Sequence, residues 1–316
     1  MRPEVPRAGE VVGEATLVAV GPVRDGRLVG WEEDEVTFSS TGVFDALDGL
    51  DDLVAASDLD LMAVLEAPSP RYSLRRLVST GDRLVVEAGC TDWSFVNGVQ
   101  DVLFRAAPFP RQQEVQERWT ASSRSITATG RPAGFSHHLG VHTLLVSRDG
   151  YVVTCVRRQV SNQAGRVSLS CEEQMDVAHV STRGWQTARR LTRVNGDRSP
   201  VAAIRRGLRE EFGLRPEEVA VRVLGVSTET ASIAVNFLAC ARSQLSLEEI
   251  RCSHASAVDR AENEVLPPER SLRLEAVRDG SAAVNLAGPR GPLGPWHSSS
   301  MARLRLTLAH TQSVEA

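Results

Sequence analysis

Two adjacent glutamates, Glu210 and Glu211, close a helical stretch that runs Arg205-Arg206-Gly207-Leu208-Arg209-Glu210-Glu211-Phe212-Gly213-Leu214. Carboxylate oxygens are hard ligands. They suit Mg²⁺, which keeps several waters and bridges to phosphate oxygens. Residues three and four apart share a helix face, so Gly207, Glu210 and Glu211 lie together. The reading of the bare residues is a solvated charged face, with Arg206 paired to Glu210. Upstream, Glu172, Glu173 and Asp176 form a second acidic group, and Glu229 ends a later predicted strand. Arg157 and Arg158 end an earlier strand, and a guanidinium binds phosphate through two parallel N–H donors.

The elements that must position these groups follow from pattern. Pro200 suits the first turn of a helix, Ser199 is a good N-cap, and Gly213 stands where a left-handed cap ends one. Val201, Ile204, Leu208 and Phe212 recur at helical spacing and form one apolar stripe, which predicts a helix over 199–213 packed on a sheet. Residues 139–146 read as a strong strand, Asp149-Gly150 as a hairpin turn and 151–156 as the return strand. Further strands are expected at 166–171, 219–228 and 232–241, with a weaker one at 271–276. Helices are expected at 185–192, 245–250 and 301–310. Before them, strands at 14–20, 27–38, 72–78 and 83–88 and helices at 42–56, 91–104 and 111–122 make a smaller α+β unit. The connection Ala128-Thr129-Gly130-Arg131-Pro132 predicts a division into residues 1–130 and 131–316.

Composition bounds the function. The chain has 316 residues, 42% hydrophobic and 24% charged, with a net charge of −4. That is ordinary for a globular protein and gives no field for gripping nucleic acid or an anionic membrane. All 36 basic residues are arginine. No apolar run approaches a membrane span and the first residues do not form a signal peptide, so a cytoplasmic location is expected. The five cysteines are scattered and odd in number, which fits buried thiols in a reducing compartment rather than disulfides or a zinc site. His137 and His138 are adjacent, and neighbours in a strand face opposite ways, which disfavours a metal pair. His142 alternates with apolar residues and reads as structural. Trp185 and Trp296 could stack on a nucleobase or fill a core.

The stretch 205–214 resembles the second half of the Nudix box, Arg-Glu-aliphatic-any-Glu-Glu-any-Gly-aliphatic, at every position but one: Gly207 stands where the box has its first glutamate. The order of strands before and after the helix is similar to that family as well, so the resemblance covers about 133–316. Leu139-Gly140-Val141 and Cys90-Thr91-Asp92-Trp93 look like the divergent branch that includes UDP-sugar diphosphatases. The resemblance implies an α/β fold, a Nudix-type α/β/α sandwich with a mixed sheet, preceded by the small α+β domain. It implies Mg²⁺, or Mn²⁺ in its place, on Glu210 and Glu211, with Glu210, Glu211, Glu173 and Asp176 catalytic and Arg157, Arg158 and Glu229 on the substrate. The ligand expected is a nucleoside-diphosphate-type small molecule, a nucleotide sugar or ADP-ribose derivative; a homodimer fits but is not required. Because Gly207 removes one carboxylate, two functions remain: hydrolysis with a substitute acid, or binding and sensing of a nucleotide without cleavage.

Overall fold

The computed structural model describes residues 4–44, 70–93, 96, 100, 112–134, 137–158, 164–178, 195–229, 232–278 and 295–311. All of the helix expected at 185–192 and most of those at 42–56 and 91–104 lie outside them; residues 42–44, and Thr91 with Asp92, end strands instead. The strands that matter are β1 (Ala15–Val20), β2 (Val36–Phe44), β3 (Pro70–Thr80), β4 (Arg83–Asp92), β5 (His138–Val146), β6 (Cys155–Arg157), β7 (Cys171–Gln174), β8 (Val219–Glu229), β9 (Ala234–Ser243) and β10 (Asn263–Val265). The helices are α1 (Gln112–Thr129), α2 (Pro200–Phe212), α3 (Leu247–His254) and α4 (Ser300–Thr311).

The chain is a mixed α/β structure built on one large mixed sheet. Its central order is β1-β8-β9-β5-β3-β4-β2, with β7 paired to β5 beside this path. β8 and β9 form an antiparallel hairpin, whereas β9 runs parallel to β5 from Ala234 against His138 to Arg242 against Val146. The sheet therefore crosses residue 130. β1 bonds to β8 along Ala15–Val20, and β3 meets β5 where Ser73 pairs with His138. Strands on the two sides of Gly130 are hydrogen-bonded to one another, so the division expected there is not a division of the sheet. Gly130 does end α1, with φ at 71°. The helix overruns its expected end because Thr127 and Thr129 turn their hydroxyls back to the carbonyls four residues earlier, satisfying themselves inside the helix. The strand expected over 27–38 is broken: Gly30 takes a φ of 74° and a 3₁₀ turn occupies Glu33–Glu35 before β2 begins.

Alternation along the strands sorts the core onto two faces. Val141 and Leu145 of β5 and Phe237 and Ala239 of β9 pack in the cluster that holds α2 through Val201, Ile204, Leu208 and Phe212. Leu144 and Val146 of β5 and Leu238 and Cys240 of β9 pack in the other cluster, against Ala302, Leu304 and Leu306 of α4. Each fully buried side chain of the α2 stripe contributes about 1.5–3 kcal/mol, and all four are essentially excluded from solvent. The caps are those the sequence implies. Ser199 Oγ accepts from Ala202 N at 3.0 Å, and Gly213 closes the helix at φ 70°. Among the described residues, no helix is long and apolar enough to cross a membrane.

Candidate functional site

A cleft of about 370 Å³ opens where β7, the end of β8 and α2 meet. Glu173, Asp176, Glu210, Arg157 and Glu229 all line it, so most of the residues selected from sequence come together. Seven carboxylates face it against three arginines, Arg71, Arg157 and Arg206, which makes its wall attractive to cations. Trp93 supplies the aromatic wall, with the Arg71 guanidinium 5.9 Å from its ring centre. Trp296 does not serve: it is buried in the core on the α4 face. Trp185 lies outside the described residues.

Two expected residues are placed differently. Arg158 is turned to the surface and ion-paired with Glu264, while Arg157 points inward to Glu172, because adjacent residues of an extended chain face opposite sides. Glu211 is not a solvent-facing ligand. It is 1% exposed, lies behind the cleft wall, accepts from the Cys171 thiol at 3.0 Å and is hydrogen-bonded by Asn263. Burial pushes its carboxyl well above the usual range, and nearby Glu173 adds to the rise.

The acidic face of α2 is organised by Arg206. Its guanidinium reaches Glu173 and Glu210 at 2.9 Å, Asp197 at 3.2 Å and Asp176 at 3.7 Å, and donates to the Gln174 carbonyl at 2.7 Å. Burial raises the Glu173 carboxyl to about 7, although Arg206 opposes the rise. Gly207 sits against β7. A Cβ there would lie 2.5 Å from Glu173 Cγ and 2.6 Å from Cys171 Sγ. The glycine thus lets helix and strand approach, and the Glu173 side chain fills the volume that a side chain at 207 would take.

The paired glutamates of β7 divide between the faces of the sheet. Glu173 goes to α2, and Glu172 goes to α4. There Glu172 binds Arg157 and the buried Arg303, accepts from Ser168 Oγ at 2.6 Å and lies 3.0 Å from His297 Nε2. Burial would raise Glu172, but His297, Arg157 and Arg303 hold it well below the usual carboxylate range.

Beside it lies a group that the sequence did not assemble. His142 of β5, Glu229 at the end of β8 and His297 just before α4 present ligand-type atoms within 4.8 Å of one another, and all three are buried. His142 Nδ1 is 3.1 Å from Glu229 Oε1 and 2.7 Å from Ser299 Oγ. Asn236 Nδ2 donates to Glu229 at 2.8 Å, and Ser298 donates to its other oxygen. Burial works to raise Glu229, but His142, His297 and Ser298 hold it down at about 2. Burial takes His297 to about 3 against the pull of Glu172 and Glu229, so its imidazole is neutral at pH 7. His142 is therefore part of the cleft wall and not merely core filling. His297 carries no local signal, since only the folding back of the chain beyond residue 295 brings it here.

No family model matches this chain, and no curated protein matches it. Among solved structures, DR0079 from Deinococcus radiodurans is similar over 53% of this chain and 80% of its own, at 14% identity and a TM-score of 0.29. At that level the likeness carries nothing about chemistry, which rests on the residues of the cleft.

Proposed function

We propose that the chain is a Nudix-type, metal-dependent hydrolase acting on a nucleoside diphosphate linked to another group, such as a nucleotide sugar or an ADP-ribose derivative. The observation that carries this reading is the replacement at Gly207. Glu173 reaches across from β7 into the space left by the glycine, so that Glu173, Glu210 and Glu211 gather three carboxylates against α2. The donor set is all oxygen, which fits Mg²⁺ or Mn²⁺. Glu173 and Glu210 would hold the ion from the cleft side, with Glu211 behind them. The bound ion would supply neutralising charge for the diphosphate. Arg157 and Arg71, which line the cleft, would supply cationic contacts to phosphate, and Trp93 would offer a face for a base. Burial raises the Glu173 carboxyl, and a bound cation would draw it back to the ionised form that a ligand needs.

A second reading, binding without cleavage, is favoured by a different observation. Arg206 already neutralises Glu173, Asp176, Asp197 and Glu210, a role the metal would otherwise share. The test is product formation from UDP-glucose, ADP-ribose and NAD with Mg²⁺ or Mn²⁺, run beside equilibrium binding of the same compounds. Metal-dependent turnover that Glu173→Gln abolishes while leaving binding intact supports the hydrolase. Binding by the parent protein with no turnover across the panel supports the sensor.

A further inference from the structure

In the proposed hydrolase the cation lies on the acidic face of α2, which leaves the histidines of the cleft without a part. We propose that His142, Glu229 and His297 bind a divalent transition metal of the zinc type in the wall of the cleft, separately from any Mg²⁺ at Glu173 and Glu210.

Three features carry this. The first is convergence. The residues come from β5, the end of β8 and the segment before α4, and their ligand-type atoms fall within 4.8 Å of one another. Metal–ligand bonds near 2.0–2.1 Å in a tetrahedral shell place ligand atoms about 3.3 Å apart; His142 Nδ1 and Glu229 Oε1 stand at 3.1 Å. The three ligand atoms lie within 4.8 Å of one another, so an ion would draw His297 closer to the other two.

The second is the outer layer. A metal-bound histidine almost always turns its other ring nitrogen to a carboxylate, a carbonyl or water. His297 has Nε2 3.0 Å from Glu172 and turns Nδ1 toward Ser299 Oγ at 3.2 Å. With Nδ1 on the ion, the Nε2–H would donate to Glu172. Glu229 is fixed in the same way by Asn236 and Ser298. Glu172 also engages Arg157 and Arg303, which draws both guanidinium charges away from Glu229.

The third is access and type. All three residues line the cleft, so a bound ion would keep a coordination position open toward it, as catalytic zinc does and closed structural zinc does not. Two imidazoles and one carboxylate suit Zn²⁺, Fe²⁺ or Co²⁺ and do not suit Mg²⁺. Such an ion would present a bound water or a substrate oxygen to the cleft.

The experiment uses the full chain, stripped with a chelator and titrated with Co²⁺. With excess Mg²⁺ present to hold the acidic face of α2, the expected result is one equivalent bound, with the intense visible bands of four- or five-coordinate cobalt, displaced by Zn²⁺. His297→Ala should weaken that binding on the order of 100-fold or more, whereas Glu173→Gln and Glu210→Gln should leave the spectrum unchanged. Should the His297 variant not fold, X-ray absorption of the zinc-loaded parent decides: two imidazoles with oxygen and no sulfur are expected. Absence of stoichiometric binding, a sulfur ligand, or a spectrum that survives in His297→Ala but is lost in Glu210→Gln would overturn the proposal. None of these readouts depends on hydrolysis, so this site and the hydrolase reading stand or fall separately.

Discussion

Gly207 offers the sharpest test of how the cleft is built. Glycine inside a helix costs about 1 kcal/mol relative to alanine, so on propensity alone Gly207→Ala would stabilise the protein. The packing predicts the reverse. The new methyl would stand 2.5 Å from Glu173 Cγ and 2.6 Å from Cys171 Sγ, both well inside contact distance. Cys171 is fully buried on β7, and the Glu173 carboxylate is tied to Arg206 at 2.9 Å, so neither neighbour yields freely. Overpacking of this kind costs about 1–3 kcal/mol. Two such contacts place it toward the upper end, and subtracting the propensity gain leaves a net loss of about 1–2 kcal/mol. Urea denaturation of the parent, Gly207→Ala, Cys171→Ala and the double variant measures this directly. The double variant should recover at least about 1 kcal/mol relative to the sum of the single changes, because removing Sγ gives the methyl room. A Gly207→Ala protein more stable than the parent, with no coupling to Cys171, would refute the close approach of α2 to β7. It would also remove the reason for regarding Glu173 as the occupant of that space. The same distances leave no room for a glutamate in place of Gly207, so Gly207→Glu should disrupt this packing and create no activity.

The other expectations are simpler to state. Arg206→Gln should destabilise the protein by about 2–4 kcal/mol at low ionic strength by leaving its carboxylates without a counter-charge, and added Mg²⁺ should restore part of the melting temperature; no response to Mg²⁺ would count against a cation site on α2. Arg158→Ala should change stability by no more than about 0.5 kcal/mol and leave nucleotide affinity unaltered, while Arg157→Ala should weaken both, as calorimetry and denaturation would show. Burial holds His137 at about 3 in the folded chain, against about 6.5 when unfolded. The unfolded state therefore takes up the proton first: this contribution is intact above pH 6.5 and is lost as pH falls toward 3, reaching about 2 kcal/mol at pH 5. His138 and His297 act in the same direction; denaturation across pH should show an acid limb that becomes shallower in His137→Gln.

What could be read from the residues was local. Ser199, Pro200 and Gly213 mark the ends of α2 because caps act within a turn, and the stripe from Val201 to Phe212 marks its buried face because helical period is a short-range property. Arg157, Glu173 and Asp176 could be selected only through the resemblance of the surrounding stretch to the Nudix pattern, which implies a strand-end arginine and an acidic loop beside the helix. What could not be read was long-range. Arg303 looks like a surface arginine on an amphipathic helix, yet it is buried and donates to the carbonyls of Thr143 and Leu169 and to Glu172. His142 looks like core because its neighbours in the chain are apolar; its partners Glu229, Ser299 and His297 arrive from 87 or more positions away. The pairing of β1 with β8 leaves no trace in either strand. Glu211 reads from sequence as part of one charged face with Glu210 and Gly207, because residues three and four apart are neighbours, but one residue is about 100° around a helix, enough to turn it behind the wall.

The order of strands also governs how the molecule comes into being. β1, one of the first strands in the chain, has β8 as its partner along Ala15–Val20, and some two hundred residues separate them. Each doubling of a loop costs only about 0.6 kcal/mol to close, so the final stability hardly registers the distance. The rate does, because non-local pairing must meet its entropy before any contact rewards it. During synthesis Ala15-Thr16-Leu17-Val18-Ala19-Val20 leaves the ribosome as an apolar strand long before β8 exists, with its edge open to other chains. The parallel pairing of β9 with β5 imposes a similar wait on the middle of the sheet. Glu229 and His142 come together only once β9 has joined β8 to β5, so the cleft forms with the middle of the sheet and not before it.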